Sequence, residues 1–487
     1  MLTVALANGV LEAVMVHQEW KPVTPSKPPY LILVRAGKDR DATRAAVNRF
    51  YDGWGIVVES LGGTRDPEEA YERARSILRE DQAHFVMYIG GREDAELVEK
   101  LDASIVDERF AAISIGKKRV RNARLEEIFW GIERARAKLR LRVGLDGDKI
   151  LVHRVPRDKL LSDLVVDQPF ADVFIGGRGW VKWLSKLGAC LPDTELVILE
   201  RLAGGRHLVY DGLTPCCELH MPDEGIPSVT NVNCENRREY GLQYNSLLNT
   251  NNYTVTESFE RISLSLLRDA LARAEEVLGY VDAIVVPWSG GKDSTMALYL
   301  AVKAYGASRV VAIYVDTGVD FPQNIDYIND LASRLGIEVV KARAPVREFI
   351  PLKGMPRHDY RWCTGLKLET LESVLRRLGE KLVVVTGDRD AESEPRSRRP
   401  LMRVEESEHV KRLIVTPLKQ WSTILLQLYA KVRGLELNPL YELGFYRLGC
   451  YICPALRSWE KLILAREPLV AARLVGLPYY RRGLRQG

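Results

Sequence analysis

Residues 289–294 read Ser-Gly-Gly-Lys-Asp-Ser. Those six side chains supply what an anion site needs. Gly290 and Gly291 let backbone N–H groups approach phosphate oxygens without a Cβ in the way. Lys292 adds a positive charge, and Ser289 and Ser294 add hydroxyl donors. A bare phosphate would repel Asp293, so that carboxylate is expected beside a bound Mg²⁺. The bland alternative is a glycine turn before an ordinary helix. The spacing is not the Gly-x-x-x-x-Gly-Lys of a Walker loop.

Other chemistry-bearing residues follow. Asp316-Thr317-Gly318 stands where a hydrophobic run ends. Arg389 and Arg396 follow Gly387 and could neutralise charge on leaving phosphates, and Glu392, beside Ser393, could hold Mg²⁺ or orient an arginine; the competing reading of residues 387–399 is a solvated loop of mixed charge. Cys450 and Cys453 have the spacing of a shared metal or iron–sulfur ligand pair. Cys363 lies in the same half of the chain. Cys190, Cys216, Cys217 and Cys234 are irregularly spaced, and packed thiols are preferred there over zinc.

The elements that must position these residues follow from hydrophobic patterning. Residues 281–286 are a β-branched buried strand, the Ser289 segment is its turn, and residues 295–304 are a helix. A strand, a glycine turn and a helix start aim backbone N–H groups and a helix dipole at an anion. A second strand over 310–315 ends at Asp316, and a helix follows over 324–335. A third strand over 382–385 precedes Arg389. Repeated βαβ units predict a doubly wound parallel sheet, with ligands at the carboxyl ends of its strands.

Five segments in order resemble the phosphoadenosine phosphosulfate (PAPS) reductase-like family of the PP-loop ATP pyrophosphatase (HUP-like) superfamily. They are Ser289–Ser294; Asp316–Gly318 with Phe321-Pro322; Arg361–Thr364 with Lys367; Gly387–Ser393 with Arg396; and Asn438–Tyr441 with Gly444-Phe445, Arg447 and Gly449–Pro454. The resemblance covers roughly 280–460. It implies ATP and Mg²⁺ as ligands, with AMP transfer and pyrophosphate release as the chemistry. Ser289, Gly290, Gly291, Lys292, Asp293, Ser294, Asp316, Thr317, Gly387, Arg389, Glu392, Ser393 and Arg396 would hold the nucleotide. Lys292, Asp293, Arg389 and Cys363 would act in catalysis.

By resemblance to PP-loop RNA thiolases, Cys363, Cys450 and Cys453 would hold a [4Fe–4S] cluster with one open iron. Zinc, with a fourth ligand such as His358, and no metal at all are the alternatives. Reductases of the family attack sulfur with a cysteine near the C-terminus, and no cysteine follows Cys453 here. They have also usually lost the complete Ser-Gly-Gly-x-Asp-Ser loop, which is whole here. The expected function is therefore an ATP-dependent sulfurtransferase acting on a tRNA base, with sulfide or a persulfide carrier as sulfur donor. Reduction of adenylylated sulfate, using Cys363 or an external thiol, is the alternative. A nucleotide- or RNA-binding protein without catalysis is a third reading.

The remaining half is less legible. Residues 1–145 alternate as a small α/β domain, 146–225 are β-rich with room for an RNA-binding barrel, and 226–258 are an Asn/Ser/Thr-rich linker before the domain at 259–487. Asp66-Pro67 is a helix start. A basic helix carries Arg134, Arg136, Lys138, Arg140 and Arg142; it offers either an RNA-backbone contact or a solvated face. Arg473, Arg481, Arg482 and Arg485 form a basic tail. The net charge of +5 permits an RNA partner without requiring one. Seven cysteines in 487 residues argue for a reduced, cytoplasmic setting rather than a disulfide scaffold. No apolar run approaches the ~20 residues of a membrane span, and residues 1–16 read as folded structure rather than a signal peptide. A homodimer is the assembly considered.

Overall fold

The computed structural model describes residues 20–80, 84–165, 170–234 and 241–484; the segment 1–16 and Arg485 fall outside them. Among the described residues three larger sheets and a two-stranded hairpin, Val143–Asp146 with Lys149–Val152, organise the chain. The first has four strands in the order Val57–Ser60, Tyr30–Val34, Phe85–Gly90, Phe110–Ser114. All its pairings are parallel, as the α/β alternation predicts. Asp66 caps helix Pro67–Arg79 by accepting from the Glu68 N–H at 3.0 Å, so that helix start is where the sequence puts it.

The middle region is an antiparallel sheet ordered Ser228–Thr230, Pro215–His220, Arg206–Tyr210, Val197–Arg201, Asp172–Gly176. It is open at both ends and so is not a barrel. The glycine-rich stretch after it starts helix Arg178–Lys186. Gly179 packs where a Cβ would lie 2.4 Å from the Glu442 carbonyl oxygen. A larger residue would push this sheet away from the C-terminal region.

The third sheet has seven strands: Trp20–Pro22, Met402–Glu406, Lys411–Val415, Lys381–Val385, Ala283–Pro287, Val310–Asp316 and Glu338–Arg343. The last five are parallel to one another, and the first two add antiparallel. Within the five parallel strands chain order runs outward from Ala283–Pro287 in both directions, and the two antiparallel strands depart from it at one edge. The doubly wound reading therefore holds, with the topological switch point between Ala283–Pro287 and Lys381–Val385. Their near-continuous Val/Ile runs follow from burial on both faces.

Three expectations change. The proposed linker is helical from Thr250 onward, within helix Thr250–Leu278. Its asparagines are anchors rather than solvated loop: Asn249 caps the helix, and buried Asn252 bonds the Ile150 and Leu247 carbonyls and the Val152 N–H. The basic helix, Leu125–Leu141, is neither an RNA face nor a solvated face where Arg136 and Arg140 stand. Both are 1% exposed and turn inward, and Arg142 beyond its end is 4% exposed. Finally, Cys190 and Cys234 form a disulfide, which runs against the expectation of reduced cysteines throughout. No helix among the described residues is long and apolar enough to cross a membrane.

Candidate active site

The carboxyl edge of the seven-stranded sheet gathers all five motif segments. Strand Ala283–Pro287 feeds Trp288, whose indole N–H donates to Thr295 Oγ1 at 2.9 Å and ties the strand end to helix Lys292–Tyr305. The turn between them needs glycine. Gly290 has φ of 77°, and a Cβ there would lie 2.0 Å from Asn324 Oδ1. Asn324 in turn donates to the Ser289 carbonyl at 3.1 Å, and Asn438 donates to Asn324 Oδ1 at 2.8 Å. These asparagines fix the turn from outside it. Ser289 Oγ and Ser294 Oγ lie 3.1 Å apart at the exposed mouth. The helix's first N–H, on Lys292, donates to the Tyr441 hydroxyl at 2.9 Å.

Lys292 and Asp293 face inward. The Lys292 ammonium is 3.0 Å from Asp293 Oδ2 and 5.3 Å from the Tyr446 ring centroid. Burial disfavours its charge, but Asp293 and Tyr441 outweigh that and raise its pKa. Asp293 also accepts from Arg389 Nε at 2.5 Å. Burial opposes its ionisation, yet Arg389 and Lys292 hold its carboxyl well below the usual range.

Arg389 does not reach the open mouth as expected. Its side chain is 1% exposed. Besides Asp293, it donates to Asp172 Oδ2 (3.1 Å), the Trp421 carbonyl (3.1 Å) and Thr423 Oγ1 (2.9 Å). Asp172 comes from the antiparallel sheet and also caps helix Thr423–Arg433 through the Thr423 N–H at 2.8 Å. Arg389 thus positions Asp293 rather than meeting a ligand itself. Asp172 has no motif around it and nothing in the sequence singles it out.

The segment after strand Lys381–Val385 packs directly on the loop. A Cβ on Gly387 would lie 2.6 Å from the Asp293 carbonyl, so glycine is needed for close approach. Asp388 pairs with Arg399 at 3.3 Å and Arg396 at 3.6 Å. Glu392 pairs with Arg396 and accepts the Arg389 N–H at 3.0 Å. Ser393 begins the short helix beyond. Asp390, fully buried, is clamped by Arg136, Arg140 and Lys419. The inward arginines of the basic helix therefore anchor this segment. Burial pushes Lys419 down to about 8 despite Asp390.

The neighbouring strand end is also built. Asp316 accepts from the Gly318 N–H and from Arg343, both at 2.7 Å. Thr317 Oγ1 contacts Asp320 Oδ2 at 2.9 Å and Cys450 Sγ at 3.2 Å. Lys367 Nζ lies 3.5 Å from the same sulfur. Burial pushes the Cys450 thiol up, with Lys367 partly opposing, and burial raises Cys363 likewise. Neither is poised as a thiolate.

Metal expectations fare differently from the loop. Among the described residues no three His, Cys, Asp or Glu side chains are placed to hold a metal ion. Cys363, Cys450 and Cys453 do not form such a group, and Cys450 is contacted instead by Thr317 and Lys367. Asp293 and Glu392 are not free for Mg²⁺ either, since each is already paired with a cation.

Comparison with known proteins follows the same boundaries. The phosphoadenosine phosphosulfate reductase domain model matches residues 283–456. Uncharacterized protein MJ0066 of Methanocaldococcus jannaschii is 30% identical over 224 residues, covering 44% of this chain and 44% of that protein. The chain thus spans less than half the length of that relative. Adenosine 5'-phosphosulfate reductase of Chelativorans sp. is 25% identical over 169 residues, 34% of this chain and 66% of that enzyme. The crystal structure of phosphoadenylyl-sulfate reductase from Candida auris, a phosphate complex, is 19% identical, with a TM-score of 0.31 over 42% of this chain and 97% of that chain. The matched span starts at the strand that feeds the glycine turn and ends just past Cys453, so the similarity to the phosphoadenosine phosphosulfate reductase domain lies in the C-terminal sheet and its loops.

Proposed function

We propose that the loop Ser289–Ser294 binds the phosphates of ATP and that the site breaks the α–β phosphate bond, transferring AMP to an acceptor. One observation carries this reading: a complete hydroxyl–glycine–lysine loop stands at a helix N-terminus, at the switch point of a doubly wound sheet. In the free protein Lys292 is held by Asp293, and phosphate oxygens offer it a second anionic partner. An acceptor oxygen attacks the α-phosphorus in line, the bond to the β-phosphate oxygen breaks, and pyrophosphate leaves. Lys292, the serine hydroxyls and the loop N–H groups stabilise the charge that develops on it. The metal ion enters with the nucleotide, since the carboxylates around the loop are cation-paired.

The finer reading is that sulfur then displaces AMP from a tRNA base, with sulfide or a persulfide as donor. The buried arginines remove one support for RNA docking, so this step rests on the intact loop alone. Pyrophosphate release from ATP, measured with and without bulk tRNA, tests it. No release under either condition refutes the ATP reading, and release indifferent to tRNA refutes the RNA acceptor.

A second reading is favoured by the thiols at the adjacent strand end and by the name of the Chelativorans relative. Cys363, giving up its thiol proton only as substrate binds, attacks the sulfur of adenosine 5'-phosphosulfate and expels AMP, and an external thiol then attacks the S-sulfonate, releasing sulfite and leaving a mixed disulfide. Sulfite formation from that nucleotide without ATP distinguishes it.

A further inference from the structure

Three neighbouring strands of the antiparallel sheet bring Asp172, Arg201 and His207 side by side, because Arg201 stands opposite Asp172 on one flank and opposite His207 on the other. Residues directly opposite each other share one face of a sheet. This face meets the phosphate-loop region at all three positions. Asp172 accepts from Arg389. Arg201 donates through Nη2 to the carbonyl of Ala391, inside the Gly387–Ser393 segment, and to the Phe170 carbonyl at 2.8 Å. His207 meets the Tyr446 ring edge-on, 6.3 Å between centroids.

The three differ in what they have left to offer. Asp172 and His207 are 0% and 1% exposed. Asp172 is occupied by Arg389 and Thr423. Burial, and after it Arg201, push His207 down to about 3, so it is neutral at pH 7. Arg201 is half-buried, and among the described residues no carboxylate pairs with it. Its Nε and Nη1 have no acceptor among those residues, and neither nitrogen is enclosed. The Tyr446 hydroxyl is in the same condition. A cation drawn part-way out of water without a counter-ion is costly, and an anion arriving from solution offsets that cost. The Tyr446 ring also ties Arg201 to the loop. The Arg201 guanidinium lies 5.7 Å from its centroid and Lys292 Nζ lies 5.3 Å from it. A pyrophosphate unit, with charge on two linked phosphates, has one for each of these cations.

We propose that Arg201 contacts the substrate: the antiparallel sheet delivers it to the phosphate loop, where its open N–H groups hold the pyrophosphate end of ATP beside Lys292. This rests on the reading that the loop binds the phosphates of ATP. Arg389 and Arg396, the arginines expected in that role, are bound to carboxylates, and Arg201 takes their place. It lies outside residues 283–456, so the contact belongs to the middle region of this chain and gives that sheet a part in the chemistry.

Isothermal titration calorimetry on the full chain tests this with ATP and with pyrophosphate. The parent protein is expected to bind both. Arg201→Gln keeps an N–H for the Ala391 carbonyl and loses the charge. It should bind each ligand at least tenfold more weakly, the size of one hydrogen bond to a charged group. Arg201→Lys restores the charge and should recover part of that loss. Arg201→Met, whose stem still covers the Tyr446 ring, replaces the Gln variant if the latter does not melt cooperatively. Three results overturn the inference. They are no pyrophosphate binding by the parent, undiminished binding in a cooperatively melting Gln or Met variant, and equal weakness in the Gln and Lys variants, which leaves Arg201 only the holding of the Ala391 turn. Arg201-dependent binding in a protein that releases no pyrophosphate from ATP refutes the cleavage reading and keeps the contact. Turnover of ATP with undiminished binding in Arg201→Gln does the reverse.

Discussion

Asp172→Ala probes whether the antiparallel sheet belongs to the catalytic machinery. Asp172 and Arg389 are 0% and 1% exposed at their side chains and lie 3.1 Å apart. The same carboxylate accepts from Thr423 Oγ1 at 2.6 Å and Thr423 N at 2.8 Å. Removing one partner of a buried ion pair costs about 3–5 kcal/mol, because a charge is left without its counter-ion. Arg389 keeps Asp293, so the lower end, about 3 kcal/mol, is expected. At roughly 2–4 °C per kcal/mol for a domain of this size, that lowers Tm by about 6–12 °C. Arg389 would also lose the anchor that aims it at Asp293. Small displacements in a reacting site cost up to ~10²-fold in rate, and a fall of about tenfold in kcat for pyrophosphate release is expected, with KM for ATP moving less. Asp172→Asn keeps an acceptor for the Thr423 N–H and should fall between. Differential scanning calorimetry and a pyrophosphate assay read both effects. An Ala variant that melts within 2 °C of the parent (on the order of 1 kcal/mol) and turns over normally refutes the reasoning.

Other outcomes follow from single features. Gly387→Ala places a methyl 2.6 Å from the Asp293 carbonyl; pyrophosphate release should fall at least tenfold (~1.4 kcal/mol of barrier) while far-UV dichroism is retained. Lys292→Met should lose on the order of 10²–10³-fold in kcat, the usual effect of one preorganised charge-stabilising group. Burial raises the Glu200 carboxyl to about 7. The folded state therefore holds a proton that the unfolded state has already released, and stability falls as pH rises from about 4.5 to 7. Glu200→Gln should flatten that slope and raise Tm at pH 8, as thermal melts across pH will show. The Cys190–Cys234 disulfide closes a loop of 44 residues, worth about 4 kcal/mol in the chain-entropy estimate. Reduction should lower Tm, and thiol titration of denatured, unreduced protein should count five rather than seven. Seven thiols would refute the pairing.

The parts legible in the sequence are those whose signal is local. Ser289–Ser294 announces itself by glycines next to a lysine and two hydroxyls, and the strand before it by β-branched residues. The Asp66-Pro67 helix start is a cap that uses its own neighbours. Misread parts depend on partners far along the chain. Arg136 and Arg140 look like a solvated or RNA-facing row until Asp390, some 250 residues away, comes to meet them. Asn252 looks like loop until the Ile150 carbonyl is seen to need its amide. Arg389 looks like a ligand contact because charge in a motif invites that role, and its four partners come from three distant stretches of chain, at 172, 293 and 421–423.

The sequence by itself determined the glycine–lysine–serine turn and the doubly wound parallel sheet around it, because those follow from residue order within short windows. Only the tertiary structure decided which charges are free. Arg389 and Asp390 could each have faced a ligand, but burial beside a fixed counter-ion removes that choice, and Asp293 and Glu392, only partly buried, are paired with cations as well. A desolvated charge must be paired inside the fold, and which partner arrives is a matter of topology rather than of local pattern. The two serine hydroxyls remain at the mouth of the site with Lys292 buried just behind them against Asp293, and the loop's part in the proposed chemistry falls to these three.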